Sequence, residues 1–199
     1  MIFGLEIGIK ELFGLLAVVL AVINYLPYLI GSITGSKKPH LFTWALWFIL
    51  TSVAFFAQIE SGGGIGAWAT GTTAFIILLI TLVSLRFGFE YVRPFDWFAL
   101  GGAFFSILLW ILTSDPFWSV ILISTIHSIC FLPTFRKGYS KPQDESATAF
   151  MLTIFKYGCA IIALSAYSVE TVLFPATVMT TSLLFISMLY YRRTALKHL

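Results

Sequence analysis

The sequence predicts an all-α integral membrane protein with seven transmembrane helices, and three observations support this prediction. Of the 199 residues, 59% are hydrophobic and 11% are charged, and the mean hydropathy is +0.94. Soluble domains are about half apolar and a quarter charged, and a chain this small could not bury so many apolar side chains. The apolar residues form long runs, and Lys and Arg residues lie between alternate runs. This composition excludes a nucleic-acid-binding protein, a soluble enzyme and a disordered chain.

Seven segments are long enough to cross a membrane. A helix needs about 20 apolar residues, each rising about 1.5 Å, to cross about 30 Å of hydrocarbon. The segments are residues 10–31, 40–59, 66–86, 94–112, 115–135, 145–168 and 170–192. Lipid offers no hydrogen-bond partners to the backbone, so each segment is expected to be helical. The first segment is not expected to be a cleaved signal peptide, because its flank is acidic as well as basic and its apolar core is too long.

The distribution of Lys and Arg predicts the orientation of the chain. Most of the 12 Lys and Arg residues lie in the loops after segments one, three and five or in the C-terminal tail. These are Lys37, Lys38, Arg86, Arg93, Arg136, Lys137, Lys141, Arg192, Arg193 and Lys197. The other side carries Lys10, and Lys156 lies within segment six. Cytoplasmic loops are rich in Lys and Arg, so we expect the N-terminus outside and the C-terminus in the cytoplasm.

The two halves of the chain carry similar residues in the same order. The aligned pairs are Leu26-Pro27 with Leu132-Pro133, Arg86 with Arg192, Gly35 with Gly138, Lys38 with Lys141, Pro39 with Pro142, and Thr43 with Ser146. The first two pairs have an offset of 106 residues and the others an offset of 103, and a three-residue deletion in the second inner loop reconciles the two offsets. We therefore predict a three-helix repeat (10–88), a linker helix (94–112) and a second three-helix repeat (115–193). A single linker helix gives both repeats the same orientation, about an axis normal to the membrane.

The segments YLPYLIGSITGSKKPHLFTW and FLPTFRKGYSKPQDESATAF, in this three-one-three layout, resemble the SWEET sugar transporters and PQ-loop proteins. The resemblance spans residues 10–193 and is nearest a bacterial branch that lacks the Pro-Gln dipeptides. It implies a seven-helix carrier in a bacterial inner (plasma) membrane. It also implies hinges for alternating access at Pro27, Pro39, Pro133 and Pro142. Proline is ordinary at a helix start, so Pro27 and Pro133 are the stronger hinge candidates.

Lys156 and His127 are predicted to lie deep in the membrane. Each lies about 11 or 12 residues into its segment, near the bilayer centre. A Lys there costs about 2.5–3.5 kcal/mol to insert, so we expect it to face the bundle interior and to bind a substrate or relay a proton. No Asp or Glu is predicted at this depth. Lys156 could be neutral, could donate to a neutral His127, could bind an anionic ligand, or could simply bond helix carbonyls.

Weaker candidates for solute binding are polar side chains in other segments. They are Asn24 in segment one, Tyr157 beside Lys156, Thr73 in segment three, and Thr180 and Thr181 in segment seven. Threonines in membrane helices often bond their own backbone, so a structural role is the simpler interpretation for them. Trp44 and Trp47 either reach the pocket or belong to an interfacial aromatic belt. The His residues are too dispersed for a metal site, and no acid is predicted near His127. We therefore expect no cofactor and no enzymatic activity.

Together these observations predict a transporter of a small polar solute that works by alternating access. Its central cavity would be lined by Lys156, His127, Asn24 and Thr180, and an anionic solute would suit a charged Lys156. The alternative is a non-transporting receptor or scaffold with the same fold. The expected partners are the solute and membrane lipid, without nucleic acid, and self-association into a homo-oligomer stays open.

Overall fold

The computed structural model describes residues 8–87 and 94–197, and every regular element in these two ranges is helical. The α-helices are α1 (Ile9–Ile33), α2 (Leu41–Glu60), α3 (Trp68–Ser84), α4 (Pro94–Thr113), α5 (Pro116–Ser140), α6 (Ala147–Ile162) and α7 (Val169–Lys197). Short 3₁₀ turns cover Gly64–Ala67, Leu85–Phe87 and Pro142–Asp144. The prediction of an all-α fold is confirmed for this part of the chain. Residue 88 of the first predicted repeat, Arg93 and His198 lie outside the described residues.

Six of the helices are long and apolar enough to cross a membrane, when α3 is taken together with the 3₁₀ turns on either side of it. The sixth helix differs from its prediction over 145–168, because α6 has 16 residues and ends at Ile162. After α6 the chain turns: the Ser165 N–H donates to the Gly63 carbonyl at 3.0 Å, and the Ser168 N–H donates to Thr171 Oγ1 at 2.9 Å. Lys156 consequently lies past the middle of α6, about 9 Å from its C-terminal end at 1.5 Å per residue.

Two sets of three consecutive helices, which we call triplets, have a similar order of neighbours. In the first triplet, α1–α3, helix α3 packs against both α1 and α2. In the second triplet, α5–α7, helix α7 packs against both α5 and α6. The triplets meet along two main seams, α1 against α6 and α2 against α5, and α4 packs on the outside of α2 and α5.

The two ends of the bundle differ in charge. At one end, which we call the basic end, α1, α3, α5 and α7 finish and α2, α4 and α6 begin. The described basic residues there are Lys37, Lys38, Arg86, Arg136, Lys137, Lys141, Arg192 and Arg193. The opposite end carries Lys10 at the start of α1. The described basic loops, which the sequence analysis assigned to one side, therefore lie at one end of the bundle.

Arginines at the basic end satisfy the last carbonyls of neighbouring helices, which have no partner within their own helix. From the end of α3, Arg86 Nη2 donates to the carbonyls of Ser32 at 2.9 Å and Ile33 at 3.3 Å, at the end of α1. From α7, Arg192 Nε donates to the Tyr139 carbonyl at 3.2 Å, near the end of α5. Each arginine thus joins the first and third helices of its own triplet.

Small residues allow close approach along the seam between α1 and α6. Ala17 on α1 and Ala160 on α6 are buried there together with Ala69. Gly66 lies against the end of α6, where a Cβ atom would lie 2.5 Å from the Ala160 carbonyl oxygen and 2.7 Å from the Leu164 nitrogen. Both of these are backbone atoms, so a larger residue at this position must displace the helix itself.

We expect Gly66→Ala to destabilise the fold by about 1–3 kcal/mol or more, because overpacking here moves backbone. The matched control is Gly101→Ala in α4, where nothing lies within 4 Å of the added Cβ atom. That change should stabilise the helix by up to about 1 kcal/mol, since Gly is a poorer helix former than Ala. Thermal unfolding of the purified variants in detergent measures both effects. Equal melting temperatures for Gly66→Ala and the unmodified protein would contradict close packing of Gly66 against the end of α6.

Candidate functional site

Lys156 lies where α6 meets α1 and α3, and its side chain is 0% exposed. Its Nζ donates to Thr73 Oγ1 at 3.0 Å, and the Thr73 hydroxyl in turn donates to the Ala69 carbonyl at 2.7 Å. The amine also lies 4.1 Å from the ring centre of Tyr157 and 5.0 Å from that of Tyr25, where the ring faces attract a cation. A lysine ammonium has three N–H donors, and Thr73 is its hydrogen-bond acceptor among the described residues.

A second hydrogen bond crosses the same seam one helical turn nearer the basic end. Asn24 Nδ2 on α1 donates to Thr153 Oγ1 on α6 at 2.9 Å, and Thr153 donates to the Ala149 carbonyl at 3.0 Å. We refer to this group as the lysine cluster, which consists of Asn24, Tyr25, Thr73, Thr153, Lys156 and Tyr157. The structure thus brings together four of the predicted site residues: Lys156, Asn24, Thr73 and Tyr157. Tyr25 and Thr153 were not predicted from the sequence, although Thr153 lies three residues before Lys156 and so on the same helix face.

His127 lies on α5 and faces α2 and α7 instead. Its Nε2 lies 3.2 Å from Thr181 Oγ1. Because the Thr181 hydroxyl donates to the Thr177 carbonyl at 2.9 Å, we assign the ring proton to Nε2. The imidazole packs against Trp47, with ring centres 4.7 Å apart, and against Phe131 and Phe174. His127 Nδ1 is buried and has no hydrogen-bond partner among the described residues.

Among the described residues, the contacts place Lys156 and Asn24 on one seam and His127 on another, whereas the sequence analysis expected these three residues and Thr180 around one cavity. In the described part of the chain no hydrogen bond or ring contact joins Lys156 to His127, because the two side chains face different seams. Thr180 is exposed on α7, and it is the next residue, Thr181, that contacts His127. Complete burial of Lys156 means that solvent does not reach the amine in this conformation.

The predicted hinge prolines fall into two groups. Pro27 lies inside α1 and Pro133 inside α5, and both helices continue on either side of their proline. Pro39 precedes α2, whose N-cap is His40, and Pro142 begins a 3₁₀ turn before α6. Of these four prolines, Pro27 and Pro133 are the ones that remove a hydrogen bond from within a helix, which is where a proline permits bending.

A third intrahelical proline, Pro175 in α7, has a partner that the sequence analysis missed. Proline has no N–H, so the carbonyl of Thr171, four residues earlier, lacks its helical donor. Gln58 Nε2, at the end of α2, donates to this carbonyl at 2.8 Å, and the Gln58 side chain is buried. A sequence signal existed: a single amide near the end of one apolar run and a proline within another.

A groove of about 1180 Å³ opens at the basic end between α2, α4 and α5. Its walls are residues 40–47 of the start of α2, residues 95–99 of the start of α4, and residues 129–140 of the last turns of α5. Trp47 lines its deep end and also packs on His127. Pro133 lines the α5 wall.

The described part of the chain is thus all-helical, with buried polar clusters and with six helices long and apolar enough to cross a membrane, which is compatible with an integral membrane protein. No protein-family model matches the chain, and neither a curated protein nor a solved structure matches it.

Proposed function

We propose that the chain is an integral membrane carrier of a small polar solute, in which two three-helix repeats move against each other by alternating access. The first triplet, the linker helix α4 and the second triplet would be the predicted 3+1+3 layout. The observation that carries the proposal is that the two ends of the bundle are closed to different extents. Hydrogen bonds between the triplets close the opposite end of the bundle, whereas a groove separates α2 from α5 at the basic end.

The internal repeat is supported by packing as well as by sequence. In both triplets the third helix packs between the other two. Arg86 and Arg192, aligned at an offset of 106, each bond a carbonyl near the end of the first helix of their own triplet, Ile33 and Tyr139 respectively. Aligned arginines thus make a similar contact in each half. Two halves with one internal design are the arrangement that rocking-bundle carriers use.

Closure of the opposite end involves three contacts between the triplets. They are Lys10 Nζ to the Leu164 carbonyl at 2.7 Å, the Ser165 N–H to the Gly63 carbonyl at 3.0 Å, and Gln58 Nε2 to the Thr171 carbonyl at 2.8 Å. At the basic end, by contrast, the bonds of Arg86 and Arg192 stay within one triplet. If the basic end is cytoplasmic, as the positive-inside rule predicts, this conformation faces inward.

The hinge candidates lie where the proposed motion needs them. Pro27 is the nineteenth residue of α1, and Pro133 the eighteenth of α5, so both lie in the part of their helix nearer the basic end. Bending at Pro133 would move the α5 wall of the groove toward α2. Closing the basic end in this way would accompany opening of the opposite end.

The lysine cluster is the proposed solute site, in an occluded state. It bonds α6 to α1 and α3, so separation of the triplets would uncover the amine. A carboxylate or phosphate could then take the place of Thr73 as hydrogen-bond acceptor of Lys156. The alternative function is a receptor or scaffold, and complete burial of Lys156 favours it, because an amine without a pocket can serve only to join helices.

A disulfide across the opposite end of the bundle should distinguish the carrier from the receptor or scaffold. An ideal Cβ atom at Gly62 would lie 3.7 Å from the Cβ of Ala166 in the other triplet, within the usual disulfide range of about 3.5–4.5 Å. We expect the oxidised Gly62→Cys/Ala166→Cys variant to lose counterflow in proteoliposomes and to regain it on reduction, because a locked end cannot open. The substrate for this counterflow assay is first identified by a thermal-shift screen of sugars, amino acids, organic acids and nucleosides, because a ligand stabilises the state that it binds.

The two single-cysteine variants are the matched controls for strain, because Gly62 has a φ of +74° that other residues adopt at a cost. Equal counterflow in the oxidised and reduced double variant would contradict alternating access at this end. A saturable thermal shift without counterflow in any variant would instead establish the receptor.

A further inference from the structure

We infer that the groove at the basic end is a binding site for an amphipathic organic anion, with its anionic group beside Arg136 and Lys137 and its apolar part against Trp47. This inference concerns binding alone and does not require that the chain transports a solute. The groove is distinct from the lysine cluster, since its walls come from α2, α4 and α5.

The groove changes in character along its depth. At the mouth, the α5 wall presents Arg136, Lys137 and Ser140. About two turns deeper the walls become apolar, with Leu46, Ala99 and Ile129 around Trp47. Arg136 and Ile129 are seven residues apart on one helix, which is about 10 Å. A ligand that fills the groove therefore needs a charged head and a short apolar body.

The charges of the mouth favour an anion on the α5 side. Arg136 and Lys137 are consecutive, and α2 begins here with the positive end of its dipole. Lys137 Nζ forms an ion pair with Glu145 at 2.7 Å, in which 63% of the Lys137 side chain and 12% of the Glu145 side chain are exposed. Glu145 therefore offsets part of the Lys137 charge, and Arg136 is the main attraction for an anion. Asp96 lines the α4 wall and would repel an anion from that side. The head group is therefore placed on α5.

The depth of the groove favours a free anion over a phospholipid. The apolar part extends about 10 Å below Arg136, whereas the acyl chain of a phospholipid spans about 15 Å, half of the hydrocarbon thickness. An occupant between α2 and α5 would bind a conformation with these helices apart and would shift the population toward it. The ligand would thus hold the basic end open.

The test uses terminally brominated octanoate, whose bromine quenches tryptophan fluorescence on contact. The full chain is placed in phosphatidylcholine nanodiscs, and the contribution of Trp47 is the difference between the unmodified protein and Trp47→Phe. We expect saturable quenching of Trp47 by bromooctanoate and at least tenfold weaker binding of the uncharged bromooctanol. Arg136→Gln should lose a charge-assisted bond and weaken bromooctanoate binding about tenfold or more.

Two controls keep the outcome specific to the groove. Arg136→Lys retains the charge and should retain most of the affinity, whereas Lys38→Gln removes an exposed charge of the basic end that does not line the groove and should change nothing. Equal binding of the acid and the alcohol, or equal affinity of Arg136→Gln and the unmodified protein, would overturn the inference. It would also be overturned if phosphatidylglycerol brominated in its acyl chains quenched Trp47 and octanoate did not relieve this quenching, because the groove would then hold lipid.

Discussion

Replacing Lys156 by Met is expected to strongly reduce the thermal shift caused by the proposed solute, without lowering the melting temperature of the free protein. Met has nearly the shape of the lysine side chain, so it should fill the space between Tyr25 and Tyr157. It also removes the cost of burying an amine, and apolar replacement of buried charged groups is often neutral or stabilising. A hydrogen bond between a charged amine and a ligand contributes about 1.5–3 kcal/mol, so affinity should fall roughly 10- to 150-fold.

Lys156→Ala is the companion variant that separates packing from chemistry. Truncation of a fully buried long side chain leaves a cavity, and for Leu, Ile or Met this costs about 2–5 kcal/mol. We therefore expect the Ala variant to have a lower melting temperature and a weaker response to the ligand, and the Met variant to have only the weaker response to the ligand. Thermal unfolding with and without the solute measures both quantities. A normal ligand response in Lys156→Met would exclude the amine from solute binding and leave it a structural group.

Gln58→Leu is expected to destabilise the protein by about 1–3 kcal/mol, because it leaves the Thr171 carbonyl buried without a donor. Leu has nearly the volume of Gln, so the loss comes from the unpaired carbonyl and not from a cavity. Pro175 makes this loss large: its ring supplies no N–H, and lipid offers no substitute. The same change removes one of the contacts that close the opposite end of the bundle.

The rescue experiment is Gln58→Leu combined with Pro175→Ala. The new N–H of residue 175 can donate to Thr171 within α7, so we expect the double variant to recover most of the lost stability. A double-mutant cycle in denaturant then gives a coupling energy between two side chains on different helices. Purely additive effects of Gln58→Leu and Pro175→Ala would show that Gln58 does not replace the helical hydrogen bond that Pro175 removes.

Hydropathy located the helices well, because the solvent of each segment is lipid and lipid selects long apolar runs. The predicted segments 40–59 and 94–112 agree with α2 and α4 to within one residue at each end. The prediction for segment six was wrong at its C-terminal end, because residues 163–168 are not helical. A tertiary hydrogen bond, from Ser165 to Gly63, helps to set that turn, and no local pattern contains it.

Burial of the lysine cluster was predictable and its partners were not. A lysine deep in an apolar run must face protein, so its burial follows from the cost of exposing it to lipid. Which helix it faces depends on the order of packing, and Thr73 lies 83 residues away along the chain. His127 shows the same limit. It was predicted to lie near Lys156 only because both residues have a similar depth in their segments, whereas its ring faces Trp47 and Thr181 on another seam.

The sequence by itself determined the helices, the charge difference between the ends and the two deep polar groups, since each of these depends on transfer from water to lipid. The tertiary structure alone decided that Lys156 and His127 lie apart, that Gln58 completes the helix broken by Pro175, and that a groove opens between α2 and α5. The physical reason is that lipid is as apolar as the side chains that face it. Burial therefore does not select neighbours in a membrane, and close packing and polar bonds between distant residues do.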